Sequence, residues 1–247
     1  MSVLTSETVV LRTWPVHESD LIVSLFTRDY GKLRGVAKAA LKSRKRFGGA
    51  LEPMTLARAW FAERPRQDLV RIDQLEIVRS PLSAPVDHAR MAVLCFFAEV
   101  IDEALPERDP QDAVFRLLTS VLDHTTREQP WMALTYFSLW MTRLMGLLPD
   151  ISRCIVCAEP LQGDGVSFSS YSDGLVCALH RNGSANALCP DSWQLAQRML
   201  KAPASAFAAE TFARRRAHDL RRFTLQTLER HLERKLKTAE ALARLGG

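Results

Sequence analysis

Hydrophobic periodicity changes once along this chain, and that change limits the fold more than any other feature. Through residue 80 apolar and polar residues alternate in short runs rich in β-branched side chains. These runs are Glu7–Trp14 (ETVVLRTW), Asp20–Arg28 (DLIVSLFTR), Lys32–Ala37 (KLRGVA), Ala50–Glu63 and Gln67–Val78. A period of two marks a half-buried strand. Asp29-Tyr30-Gly31-Lys32 reads as the turn of a hairpin between the second and third runs, and Arg64-Pro65-Arg66 separates the last two. Five such runs with no long helix between them predict a small antiparallel barrel, since a sandwich usually needs about seven strands.

Beyond Pro81 and Pro85 the pattern becomes helical. Helices are expected over Val86–Leu105, from Asp109-Pro110 to about Arg127, and from Pro130 to Leu148. The third (WMALTYFSLWMTRLMGLL) is apolar almost all round and should lie at the centre of a bundle. Ile151–Cys189, rich in Gly, Ser and Cys, reads as a compact insertion. Asp191–Leu200 and Thr211–Leu245 return to helix, the latter as one amphipathic element with a seam of Leu225, Leu228, Leu232 and Leu236. The expectation is an α+β multi-domain chain: a barrel (1–80), a first helical part (81–150), the insertion (151–190), and C-terminal helices that complete the helical domain (191–247). No stretch of roughly 18 apolar residues predicts a spanning helix, and no secretory signal opens the chain, so a cytoplasmic location is expected.

Five cysteines in an unsecreted chain argue for thiols or metal ligands rather than a disulfide framework. Cys154-x2-Cys157, nineteen residues, then Cys177-x2-His180 is zinc-ribbon spacing, because each short knuckle brings two ligands to one edge of a tetrahedron. Cys189 is a further candidate that could take the place of His180. With all four positions liganded the site would be structural, with no position for a catalytic water. Cys95, on an apolar helix face, reads as core packing.

The net charge of +5 is unevenly spread. Residues 1–80 carry 14 basic against 9 acidic groups, residues 81–150 carry 5 against 10, and residues 151–247 carry 14 against 9. The basic ends could meet a polyanion. Lys32, Arg34, Lys38, Lys42, Arg44, Lys45 and Arg46 form a run with no acid between Lys32 and Gly49. In a barrel that run is a loop suited to phosphates, with Phe26, Tyr30 and Phe47 as candidate stacking residues. Seven-residue spacing pairs Arg214 with Arg221 and Arg215 with Arg222 in a second cationic stripe on the last helix. His17 reads as a surface histidine. None of the phosphate-binding, dinucleotide, nucleophile-elbow or metalloprotease motifs occurs, so the chain reads as a binder and not an enzyme. Two other classes stay open. One is a zinc-dependent nucleic-acid enzyme with an open three-ligand site beside Glu159. The other is a protein-only adaptor that binds an acidic peptide through its helical domain.

The strand–turn–strand Ser19–Ala37, the AK-x4-SRKRFGGALEP loop, C-x2-C…C-x2-H and the HLERKLKTAEALARL tail together resemble the RecO family of bacterial recombination mediators. The resemblance covers essentially the whole chain. It implies an OB-fold followed by an all-α domain with a zinc-finger-like insertion. It also implies binding of single- and double-stranded DNA, annealing of complementary strands, and work with RecR to load RecA onto strands coated by single-strand binding protein. Nucleoid association in the cytoplasm follows from such a role. The coating protein's acidic tail would meet the helical domain, where Arg143, Leu144, Arg221 and Arg222 resemble suitable clamps.

Overall fold

The five alternating runs form β1 (Leu4–Pro15), β2 (Leu21–Thr27), β3 (Gly31–Ala37), β4 (Leu56–Ala62) and β5 (Val70–Arg79), closed in the order β1-β2-β3-β5-β4. This is the order of an OB-fold. A bulge between Val10 and Arg12 bends β1, which pairs with both β2 and β4. One pairing departs from the antiparallel expectation: β3 meets β5 in parallel through Gly35↔Val70, Val36↔Arg71 and Ala37↔Ile72. A Cβ at Gly35 would lie 2.7 Å from side-chain atoms of both Ile72 and Val70, so only glycine lets the two strands approach and close the barrel. Val10, Val23, Leu25, Leu33, Phe61 and Ile72 fill the interior, joined by Phe47 from the basic loop.

The computed structural model describes residues 3–63, 66–82, 87–125, 129–169, 173–183 and 185–244. The landmarks Arg64, Pro65, Pro85, Val86, Arg127 and Leu245 lie outside the described residues. The chain divides into two compact units, Met1–Thr126 with Leu236–Gly247, and Arg127–Lys235.

In the first unit the barrel carries α1 (His88–Ala104) and α2 (Asp112–Thr125). The Asp87 carboxylate accepts the Arg90 N–H at 2.7 Å and caps α1. Asp102, near the other end of α1, is buried against three strands. It lies 3.6 Å from Arg12 and 4.0 Å from Lys32, and accepts the Ser24 hydroxyl at 3.0 Å. Glu99, also buried, accepts the backbone N–H groups of Lys237 (2.9 Å) and Thr238 (2.8 Å), and so caps the C-terminal helix α6 (Lys237–Arg244). A carboxylate suits the positive end of that helix.

The second unit holds α3 (Pro130–Leu144), α4 (Pro190–Met199), α5 (His218–His231) and a two-stranded ribbon of β6 (Ser167–Phe168) and β7 (Asn186–Ala187). As its composition predicts, α3 is buried on nearly every side. The single helix expected over Thr211–Leu245 does not exist. Instead α5 ends in a Schellman turn, with Glu233 N–H on the Arg230 carbonyl, Arg234 N–H on the Glu229 carbonyl (both 3.2 Å) and Glu233 at φ 52°. Arg214, Arg215 and Arg216 precede α5, so the cationic stripe predicted from seven-residue spacing does not form.

Replacing Asp102 by Ala leaves Lys32 buried without its counter-charge. Urea denaturation should show the first unit destabilised by about 3–5 kcal/mol, and a smaller loss for Asp102→Asn.

Candidate metal centre and nucleic-acid interface

The candidate metal-binding cluster in the second unit is built from two backbone knuckles. The Cys154 carbonyl accepts the Ala158 N–H (2.9 Å), the Cys154 N–H reaches the Glu159 carbonyl (2.9 Å), and Ala158 takes a left-handed φ of 60°. Opposite, the Cys177 carbonyl accepts the His180 N–H at 3.1 Å, at the start of one 3-10 turn. Two glycines are needed to bring the knuckles together. Gly165 has φ +69° with Ala178 Cβ 2.8 Å from where a Cβ would sit, and a Cβ at Gly174 would lie 2.3 Å from Ile155 Cγ2.

The donor atoms of Cys154, Cys157, Cys177 and His180 all lie within 4.8 Å of one another. His180 Nδ1 is 3.2 Å from Cys177 Sγ and 3.8 Å from Cys154 Sγ. Metal–sulfur and metal–nitrogen bonds of about 2.3 and 2.0 Å give tetrahedral edges of about 3.5–3.8 Å, so the residues fit one four-coordinate ion. The electrostatics favour the ligating thiolate at Cys154 and Cys177, while Cys157 and His180 are shifted towards their protonated forms, whose protons a metal would have to displace. Burial pushes the Cys154 thiol up, but the backbone N–H groups of Cys157, Cys177 and Val156 outweigh it and bring it down to about 6. The His180 hydrogen bond lowers the Cys177 thiol, and the same contact raises His180.

Cys189 takes no part in this cluster. It sits at the N-cap of α4, its thiol 3.1 Å from the Ser192 hydroxyl and its N–H on the Asp219 carboxylate. His180 is therefore the fourth donor that the fold supplies. Glu159 is exposed and contributes its backbone carbonyl rather than an open-site carboxylate. Cys95 is half-buried on α1, and burial raises its thiol.

The basic run of the first unit separates into two classes. Lys38, Lys42, Arg44 and Lys45 are exposed, and none has a carboxylate partner among the described residues. Arg46 is half-buried, stacked 5.0 Å over Phe47 and donating to the Lys38 carbonyl at 2.7 Å, where it shapes the loop. Arg34 pairs with Glu107 at 3.1 Å. Lys32 is a correction: it is 5% exposed, its ammonium donates to the Asp102 carbonyl, and burial lowers its pKa despite the Asp102 charge. Alternation does point Lys32 out of the barrel, but the helical side of the unit covers that face. Phe26 fails as a stacking residue for the same reason, since it is fully buried with its ring 5.6 Å from Phe115 of α2. Phe47 plugs the barrel interior, and Tyr30 packs edge-on against Phe61. The exposed aromatic missed by sequence reasoning is Trp14, at the end of β1. Its signal was its place in the outward-facing phase of that strand.

Of the four clamp residues in the second unit, Arg143, Leu144 and Arg222 are exposed. Arg221 is not. It is 8% exposed, donates to the Thr135 hydroxyl and the Arg216 carbonyl (both 2.8 Å) and to the Arg214 carbonyl, and burial pushes it down to about 10. Its donors are spent on holding the 214–216 turn against α3. His17 is exposed, as expected.

Two family models match the chain, Recombination protein O N terminal over residues 1–81 and Recombination protein O C terminal over residues 85–240. The chain is 51% identical to the DNA repair protein RecO of Koribacter versatilis over 240 residues, 97% of this chain and 98% of that protein. It is 34% identical to the DNA repair protein RecO of Anaeromyxobacter sp. (strain K) over 241 residues, 96% and 95% of the two chains. Against that of Pelotomaculum thermopropionicum the identity is 29% over 248 residues, 100% and 96% of the two chains.

If the four donors act together, elemental analysis of the purified protein should find one metal per chain, lost in Cys154→Ser and reduced in His180→Ala. Cys189→Ser should retain it. Loss in Cys189→Ser with retention in His180→Ala would reverse the assignment.

Proposed function

The chain belongs to the RecO family, whose relatives above are DNA repair proteins, and from that premise we propose that it is a non-catalytic DNA-binding mediator that anneals complementary strands. The observation that carries this reading is which cations remain unpaired. Of the cations on or beside the barrel strands, Arg12, Arg28, Lys32, Arg34, Arg71 and Arg79 each face a carboxylate, and Arg58 on β4 faces none among the described residues. Lys38, Lys42, Arg44 and Lys45 face none among the described residues, and they project from one loop. Such a loop holds phosphates of any sequence, and counterion release makes its binding strongly salt-dependent. Neutralised phosphates repel one another less, so two strands come together and base pairing drives the rest. No nucleotide hydrolysis is needed.

Cys154, Cys157, Cys177 and His180 are read as a structural zinc site, since three thiolates and one imidazole around one point are a zinc donor set with no vacancy for water. When bound, the metal supplies cross-linking of the two knuckles. Work with RecR, delivery of RecA to strands coated by single-strand binding protein, and nucleoid association in the cytoplasm complete the reading. These are supported by the family and by the exposure of Arg143, Leu144 and Arg222 as contacts for an acidic tail. Among the described residues no helix is long and apolar enough to cross a membrane.

Annealing of two labelled complementary oligonucleotides, without nucleotide and across a salt series, tests the proposal. Acceleration that fades steeply with salt is expected. Each neutralising change at Lys38, Lys42, Arg44 or Lys45 should reduce the slope of log affinity against log salt by about 0.7 on single strands. Lys32→Met should leave the slope alone while changing stability. A slope unaffected by the four loop changes would overturn the assignment.

A further inference from the structure

Register sorts the outward-facing side chains of β1, β2 and β3 into three parallel rows. Val9, Phe26 and Lys32 form the first, with Phe26 against Phe115 of α2. Arg12, Ser24 and Arg34 form the second, tied to Asp102 of α1 and to Glu107 beyond it. Trp14, Ile22 and Val36 form the third, and the parallel pair Val36↔Arg71 extends it onto β5. The first two rows are spent on packing and ion pairs. The third is open: Trp14 is 37% exposed, Ile22 and Val36 are half-buried, and Val36 and Arg71 line a cleft of about 360 Å³.

The cleft shows what such a row would accept. Exposed Lys38 and Arg66 stand on its rim, and Lys38 leads into the loop that carries Lys42, Arg44 and Lys45. Asp68 lines it as well, and Arg71 is held by Asp73 through bonds of 2.7 and 3.1 Å, so the free charge belongs to the two rim cations. An apolar strip about 10 Å across three strands, ending in an indole and edged by cations, matches unpaired bases on a charged backbone. Duplex bases are already stacked on one another and offer no face to it.

We propose that Trp14, Ile22 and Val36 are a base-stacking platform for single-stranded nucleic acid, with Trp14 taking a base at one end of the row and Lys38 and Arg66 holding phosphates of the same strand at the other. This rests on the DNA-binding reading above and gives it a surface and a stacking residue. It also separates two kinds of contact. The loop cations act through charge and depend on salt, whereas Trp14 acts on bases and does not.

The test compares a labelled oligothymidylate with an abasic strand of equal length, across a salt series, for the full-length protein and its Trp14→Ala and Trp14→Phe variants. Trp14→Ala should lose about 5- to 100-fold in affinity for oligothymidylate at every salt concentration, with an unchanged slope. It should bind the abasic strand like the parent, and Trp14→Phe should keep most of the affinity. Should Trp14→Ala fail to fold, the parent's tryptophan fluorescence still decides. It should change on oligothymidylate but not on the abasic strand, and that change should be missing from Trp14→Phe. Equal binding of oligothymidylate by parent and a folded Trp14→Ala, or a fluorescence change that persists in Trp14→Phe, would overturn the stacking assignment while DNA binding stands. A parent that binds neither strand at low salt would overturn the DNA-binding reading and this inference with it.

Discussion

Asp102 is the carboxylate on which the N-terminal unit depends. It reaches Arg12 on β1, Ser24 on β2 and Lys32 on β3 from a single position on α1. A lone buried charge costs several kcal/mol, so neither Asp102 nor Lys32 tolerates burial alone. Together they fix which face of α1 meets the barrel, because any rotation of the helix leaves a charge without its counter-charge. Glu99, one turn earlier on the same helix, accepts two backbone N–H groups of α6 and ties the end of the chain to the same unit. One helix thus joins segments from both ends of the sequence.

The same arrangement explains the acidic middle of the chain. Read along the sequence, residues 81–150 carry 5 basic against 10 acidic groups and stand out for their net acidic charge. In the fold much of it turns inward, with Asp102 facing Arg12 and Lys32, Glu107 facing Arg34, Asp112 facing Arg28 and Asp123 facing Arg79. The exposed pairs among these contribute little to stability. Their larger effect is on the surface potential, since they cancel most of the cations on and beside the barrel strands, while Lys38, Lys42, Arg44 and Lys45 stay without a carboxylate partner among the described residues.

What the sequence made legible follows from how local each signal is. Period-two runs revealed all five strands, and the spacing of the two knuckles pointed to Cys154, Cys157 and Cys177 with His180 or Cys189, because knuckle geometry is decided within three residues. The choice of His180 over Cys189 was not legible, since it depends on Cys189 lying at the start of α4 with its thiol on Ser192 and its N–H on Asp219, thirty residues away. Lys32 and Phe26 were misplaced because alternation tells inside from outside of the barrel and says nothing about a helix laid over the outside. The last helix was misread for a different reason. Nothing in HLERKLKTAEAL contains glycine or proline, yet Glu233 adopts the left-handed turn that a glycine takes at Gly146, where Leu147 closes the corresponding bond to Thr142. The buried Leu236 beyond it shows that packing, not propensity, sets that break.

Rigidity and weak contact therefore fall to different parts of the first unit, and the proposed annealing needs both. A strand held by buried, fully paired charges would be too tightly fixed to search for its complement. Exposed lysines on a loop give contacts that are individually small, screened by salt and quickly exchanged, so a strand can slide until its bases find register. The loop is still not shapeless. Its Ala39 N–H is held by Asp20, its Leu41 N–H by the Ser19 carbonyl, and Phe47 anchors it in the barrel. The cations thus stay at one end of the barrel, beside the open row, where phosphates and unpaired bases of the same strand can be met together.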